Sequence, residues 1–226
     1  MRTVDPAKYE AKRRAILDAA TMCFAEKGFE KTTTAEICRA AGISTGSLFH
    51  YFPNKRAVFA GIFEQDGDET AALLAAAGEI EDPWEAILHI LMYLSEQLLQ
   101  PFAAKLVLEV AAQCTRDAEL AELVQGNDRV LRDGLVGLVT RAVEAGRIDP
   151  GIEPKAVASW LVALIDAPLS RAILEPGLDP AAELAVMKVI LTRFLRPVLP
   201  IRPPGGGEVS DTGEISPGRS GSPGHQ

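Results

Sequence analysis

The stretch Thr33–Lys55, TTAEICRAAGISTGSLFHYFPNK, constrains this chain more tightly than any other. Thr33 followed three residues later by Glu36 is a capping box. The threonine hydroxyl accepts from the Glu36 N–H while the glutamate reaches back to the cap. Gly42 suits the left-handed position just past a helix end. Ser44 then caps a second short helix that runs through Ser47, Leu48 and Phe49 to Tyr51. Two short helices joined by a glycine-containing turn are a helix-turn-helix, whose second helix enters a DNA major groove. A purely structural hairpin has the same spacing, so surface chemistry must separate the two readings. The second helix presents Thr45, Ser47, His50 and Tyr51 around Gly46, which admits close backbone approach, and Lys55 and Arg56 follow.

The formal net charge of −8 opposes DNA binding until it is divided along the chain. Residues 1–60 hold ten Lys/Arg against six Asp/Glu, and the remainder holds thirteen against twenty-five. A basic head on an acidic body is a localised footprint for phosphate. Lys8, Lys12, Arg13 and Arg14 share the polar side of the first predicted helix, about 7–27, as a solvated face or as phosphate contacts. Gly28 closes that helix. Its apolar residues Ile16, Leu17, Ala20 and Phe24, with Phe29 beyond, are expected to build a three-helix core with Ile37, Ala41, Ile43, Leu48 and Phe52.

The segment from about Ala15 to Phe63, centred on AGISTGSLFHYFPNKRAVFAGI, closely resembles the DNA-binding domain of the tetracycline-repressor (TetR) family. The remainder is similar to the family's BetI-like or multidrug-binding members in helix number and length. The resemblance implies a homodimer on a palindromic operator in double-stranded DNA, most often as a repressor. It places Thr45, Ser47 and His50 at base edges, Gly46 in close approach, and Thr33, Thr34, Tyr51 and Lys55 at phosphates. Family members commonly carry tyrosine at Phe49. Phenylalanine cannot hydrogen-bond a phosphate, so its expected contribution to the interface is ring packing.

The body reads as helices throughout. Asn54 caps a fourth helix of about 55–77, which links head to body. Asp82–Pro83 starts a fifth of about 83–99, and Pro101 precedes a sixth of about 102–114. A long seventh, about 117–145, ends at Gly146. Pro154 and Asp179–Pro180 start an eighth (about 154–174) and a ninth (about 180–196). Pro168 is expected to kink the eighth and to free the Leu164 carbonyl. The ninth, AAELAVMKVILTRFLRP, is apolar nearly all round. It is therefore either a central core helix or, with the eighth, one side of a dimer. The resemblance favours the dimer.

The expected architecture is all-α, with about nine helices. A helix-turn-helix domain covers 1–54, and a helical effector-binding and dimerisation domain covers 55–200. The Gly-, Pro- and Ser-rich segment 201–226 is expected to be disordered. The resemblance implies a small-molecule effector held inside the body, among the fourth to eighth helices. Trp84, His89, Met92, Tyr93, Glu96, Gln97, Glu109, Gln113 and Trp160 are candidates to line that site. A mostly apolar pocket with one or two carboxylates suits a lipophilic or cationic ligand. An architectural DNA binder without an effector is the competing reading.

Composition excludes other classes. With 47% hydrophobic and 24% charged residues in 226, the chain reads as one or two soluble domains. The start MRTVDPAKYEAKRR has no apolar signal region, and the longest apolar run, about 156–165, is half a membrane span. A cytoplasmic protein without membrane contact is expected. Cys23, Cys38 and Cys114 form no CxxC and read as small buried hydrophobes. Metal ligation and a cofactor are not expected. No Gly-rich phosphate loop, HExxH motif or nucleophile elbow points to an enzyme.

Overall fold

A computed structural model describes residues 5–175 and 177–197, so the segment 201–226 lies outside the described residues. The described residues form nine helices and no strand. In order these are α1 (Pro6–Lys31), α2 (Thr34–Ala40), α3 (Thr45–Tyr51), α4 (Lys55–Gly78), α5 (Pro83–Leu98), α6 (Ala103–Cys114), α7 (Ala118–Glu144), α8 (Pro154–Leu174) and α9 (Pro180–Leu195). Most starts are set by caps. Asp5, Asp82 and Asp179 each accept from a backbone N–H of the first turn, with proline at the helix start. Asp117 caps α7 in the same way, without the proline.

Two apolar cores organise the chain. The first joins Ile16, Leu17, Ala20 and Phe24 of α1 to Ile37, Leu48, Phe52 and the Val58, Phe59, Ile62 and Phe63 face of α4. Ala41, Ile43 and Phe29 pack against it half-buried. Leu106 and Val110 of α6 and Leu120 of α7 also belong to this core, so the head is not self-contained. The second core packs Trp84, Ile87, Ile90 and Leu91 of α5 against α7, α8 and α9.

Gly28 interrupts α1 with φ 77° and ψ 166°, so the helical run ends there and resumes as a last turn before α2. A methyl group at Gly28 would lie 2.9 Å from Oε2 of Glu109, which brings α6 directly onto the end of α1. The α4–α7 crossing is equally tight. A methyl at Gly134 would sit 2.6 Å from a Leu74 methyl, and Asn127 donates from Nδ2 to the Phe63 carbonyl at 2.7 Å.

α8 runs on through the buried ring of Pro168 as one helix from Pro154 to Leu174. Among the described residues, α8 alone has the length and apolarity to cross a membrane. On α9 only Met187, Leu191 and Leu195 are buried, one stripe at helical spacing. Val186, Val189 and Ile190 are about half exposed, and Trp160 on α8 is 63% exposed.

Candidate nucleic-acid interface and internal cavity

The head is assembled by its caps. Thr33 Oγ1 accepts from the Glu36 N–H, and Glu36 Oε2 accepts from both Thr33 N and Thr33 Oγ1 at 2.9 Å. Lys27 Nζ donates to the other Glu36 oxygen at 2.6 Å. These bonds, the lysine first, hold the Glu36 carboxyl down at about 2. The Thr33 hydroxyl is therefore occupied by its cap and offers a phosphate only what the capping box spares. Thr34, in the first turn of α2, is half-buried.

Ser44 Oγ accepts from Ser47 N at 3.1 Å and starts α3. Thr45, Gly46, Phe49 and His50 are exposed, whereas Ser47 and Tyr51 are half-buried. Among the described residues other than its chain neighbours, only the Ser44 Oγ, at 4.0 Å, comes near where a Gly46 Cβ would be, which leaves that backbone open to a close partner.

Tyr51 stacks on Tyr9 of α1 with ring centroids 4.6 Å apart, and His50 meets Tyr51 edge-on at 5.4 Å. Tyr9 thus packs against the last turn of α3. Sequence reading missed it, because its spacing from α3 is set only by the crossing of the two helices.

Lys55 sits differently from a free phosphate anchor. Its Nζ donates to the Phe29 carbonyl at 2.7 Å and the Glu30 carbonyl at 3.2 Å, and lies 4.4 Å from the Phe29 ring centroid. It closes the last turn of α1, which leaves one of its three N–H donors for a phosphate. Of the basic group on α1, Arg13 pairs with Glu64 at 2.8 Å and Arg14 with Glu69 at 3.5 Å. Lys8 reaches Asp5 at 3.8 Å.

A second polar tie joins head and body. Arg56 donates to Asp117 and to Glu119 at the start of α7, at 2.5–2.7 Å. The guanidinium holds the Asp117 carboxyl at about 2. Asp117 also caps α7 through Leu120 N at 3.1 Å, so one carboxylate serves both jobs.

Behind the head lies a cavity of about 610 Å³. Its walls come from α1 (Leu17, Asp18, Thr21, Met22), α4, α5, α6, Leu131 of α7, and Ile165 and Asp166 of α8. The effector site is expected among helices α4 to α8; this cavity is walled by those helices and by α1 as well. Of the residues expected there, Tyr93 and Gln97 line it.

The others do not, each for a local reason. Trp84 is buried in the body core and Met92 packs against that core. His89 and Glu96 are exposed, and Trp160 faces outward on α8. Gln113 donates to Glu109 at 3.0 Å against the end of α1, away from the cavity lining.

The polar lining is dominated by four carboxylates, Asp18, Asp66, Glu69 and Asp166, and includes no Lys, Arg or His. Among the described residues nothing hydrogen-bonds or ion-pairs with Asp66 or Asp166. Asp66 and Asp166 both keep exposed surface where they line the cavity, and the protein atoms around Asp66 remove part of its water. That desolvation, helped by the neighbouring Glu69 charge, pushes its carboxyl up to about 6. Desolvation raises Asp166 as well.

A helix-turn-helix with an exposed second helix, mounted on a helical body that carries a cavity, defines a DNA-binding transcriptional regulator. Residues 16–62 match the bacterial regulatory proteins of the tetR family, and residues 86–196 match the BetI-type transcriptional repressor C-terminal domain. The chain belongs to the TetR family. It acts on transcription and is not an enzyme.

Over 180 residues it is 27% identical to the HTH-type transcriptional repressor Rv1474c of Mycobacterium tuberculosis, covering 80% of this chain and 91% of that one. Over 157 residues it is 27% identical to the HTH-type transcriptional regulator UidR of Escherichia coli strain K12, covering 67% and 76%. Its fold is also that of the transcriptional regulator FadR from Bacillus subtilis, solved in complex with stearoyl-CoA. That match has a TM-score of 0.66 at 18% identity, over 82% of this chain and 99% of that one.

Proposed function

We propose that this regulator is a cytoplasmic repressor that binds a palindromic operator as a homodimer and is released by a small molecule in the cavity. The observation that carries the reading is the shared use of α1, whose Ile16, Ala20 and Phe24 build the head while Asp18, Thr21 and Met22 wall the cavity. A ligand there touches the element that supports α3.

Thr45, Ser47 and His50 read base edges, with Gly46 giving close approach and Phe49 packing its ring alongside. Thr33, Thr34, Tyr51 and the spare N–H of Lys55 set register on phosphates. Residues 1–54 make up the reading unit and 55–200 the effector and dimer unit, with α4 crossing between them. The dimer forms through α8 and α9, on which the apolar Trp160, Ile173, Leu174, Val186, Val189 and Ile190 are all exposed. Two-fold symmetry then sets the reading helices about 34–36 Å apart, one DNA turn.

Gel-shift against the DNA flanking the protein's own coding region, with candidate ligands added, tests the reading. One palindromic fragment should shift in a salt-sensitive way and be released by ligand. Equal affinity for scrambled duplex, with no ligand effect, would point instead to an architectural binder.

A further inference from the structure

We propose that the effector of this regulator is an amphipathic organic cation, held in the cavity by Asp66 and Asp166. The inference rests on the reading of the cavity as the effector site, and it names the ligand's chemistry. About 610 Å³ is the size of a site for a drug-sized molecule.

The walls sort into two kinds. Leu73, Leu94, Leu98 and Val107 offer apolar surface, and Phe63, Tyr93 and Phe102 offer aromatic rings. Set among them are the four carboxylates, contributed by three helices: Asp18 from α1, Asp66 and Glu69 from α4, and Asp166 from α8. A positive centre between Asp66 and Asp166 restores the charge balance that neither residue finds in the protein. Aromatic faces add cation–π attraction to the same ligand.

An anion meets the reverse. The phosphates of an acyl-CoA, the class of ligand seen in the FadR complex, would face carboxylates with no Lys, Arg or His in the lining to receive them. Glu69 already pairs with Arg14, but the like charges of Asp18, Asp66 and Asp166 in the lining disfavour such a ligand. The acidic lining therefore selects by repulsion as well as by attraction.

The test uses an isosteric pair of opposite charge, tetraphenylphosphonium and tetraphenylborate, with palmitoyl-CoA as a third probe. Each is titrated into the full-length protein by calorimetry, and a gel-shift with the operator is run in parallel. Tetraphenylphosphonium should bind and release the operator, while the two anions should not. Asp66→Asn and Asp166→Asn are near-isosteric, and each should weaken the cation at least about tenfold, the effect of losing roughly one charge contact in a wet site.

Binding of tetraphenylborate or palmitoyl-CoA in preference to the cation would overturn the charge assignment while leaving the effector cavity standing. So would cation binding that neither variant weakens. No binding of any probe, with the operator still shifted, would overturn the inference and leave the DNA-binding reading intact.

Discussion

Asp66 should be worth more to this protein's ligand than to its fold. In the folded chain its carboxyl is pushed up to about 6 from an ordinary 3.8, so the folded state holds the proton across a pH window where the unfolded state has released it. Stability therefore falls as pH rises from about 4 to about 6, and the penalty is complete above that. Asn cannot ionise, so Asp66→Asn should remove the penalty at neutral pH and change nothing well below pH 4. The gap between the two values corresponds to about 3 kcal/mol if the site were dry. Because the Asp66 side chain still faces a cavity open to water, screening reduces that to about 1–2 kcal/mol.

For a domain of this size, about 1–2 kcal/mol raises Tm by roughly 2–8 °C. Thermal unfolding of wild type and Asp66→Asn should be compared at about pH 7.5 and about pH 4. The variant should melt higher at the upper pH, and the two should converge at the lower. A variant that melts no higher than wild type at neutral pH would show that the Asp66 charge already has a partner, and the argument from desolvation would fail. Glu69→Gln should produce part of the same gain, because the Glu69 charge is the second cause of the shift.

Lys55→Ala should flatten the slope of log K against log salt by about one unit and weaken binding to all sequences alike. It should also lower head stability by roughly 1–2 kcal/mol, because the Phe29 and Glu30 carbonyls lose their donor. An unchanged salt slope would remove Lys55 from the phosphate contacts. Val189→Glu should split the dimer: an apolar side chain contributes about 1.5–3 kcal/mol and symmetry counts it twice. Sedimentation should then report a monomer with weakened operator binding, and an intact dimer would move the seam away from α9. Arg56→Ala should speed hydrogen exchange at the first turn of α7 by loosening Asp117, and high salt should do the same to wild type. Exchange that does not change would mean the Arg56 tie does not stabilise the Asp117 cap.

Most of the fold was legible because its boundaries are written in local chemistry. Asp5–Pro6, Thr33 with Glu36, Ser44, Asn54, Asp82–Pro83 and Asp179–Pro180 each declare a helix start without help from the rest of the chain. The all-helical class and the helix-turn-helix followed from these signals.

The cavity was not legible, since it depends on how each helix is rotated about its axis. On α5, Tyr93 and Gln97 face it while His89 and Glu96 turn to solvent, and the four are separated only by the turn of one helix. A periodic pattern that is apolar over so wide an arc cannot choose between neighbouring faces. Asp66 sits in the acidic run of EQDGDET, which reads as a solvated face; it stays exposed, and only the placing of α1, α5 and α8 makes it part of a cavity wall. The bonds from Lys55 to the end of α1 were hidden for the same reason: the carbonyls it closes are over twenty residues away in sequence.

How a ligand reaches the operator follows from residues that belong to two structures at once. Leu17, Ile62, Phe63 and Leu106 are buried in the head core and also line the cavity. A molecule filling the cavity cannot press on that wall without pressing on the packing that orients α3, because close-packed interiors transmit displacement rather than absorb it. If the cavity is the effector site as proposed, ligand and operator compete for the arrangement of one core. Thermodynamic linkage then requires that operator DNA weaken the ligand by the same factor by which ligand weakens the operator, about 5–150-fold for couplings of usual size. Ligand affinity should be measured with and without saturating operator duplex, and operator affinity with and without saturating ligand. Equal ratios above one are expected in wild type. Leu106→Ala, which opens a gap at the shared wall, should bring both ratios towards one while operator affinity alone changes little. A variant that loses operator binding but keeps the full ratio would place the coupling elsewhere, in the Arg56 tie to α7 or in the dimer seam.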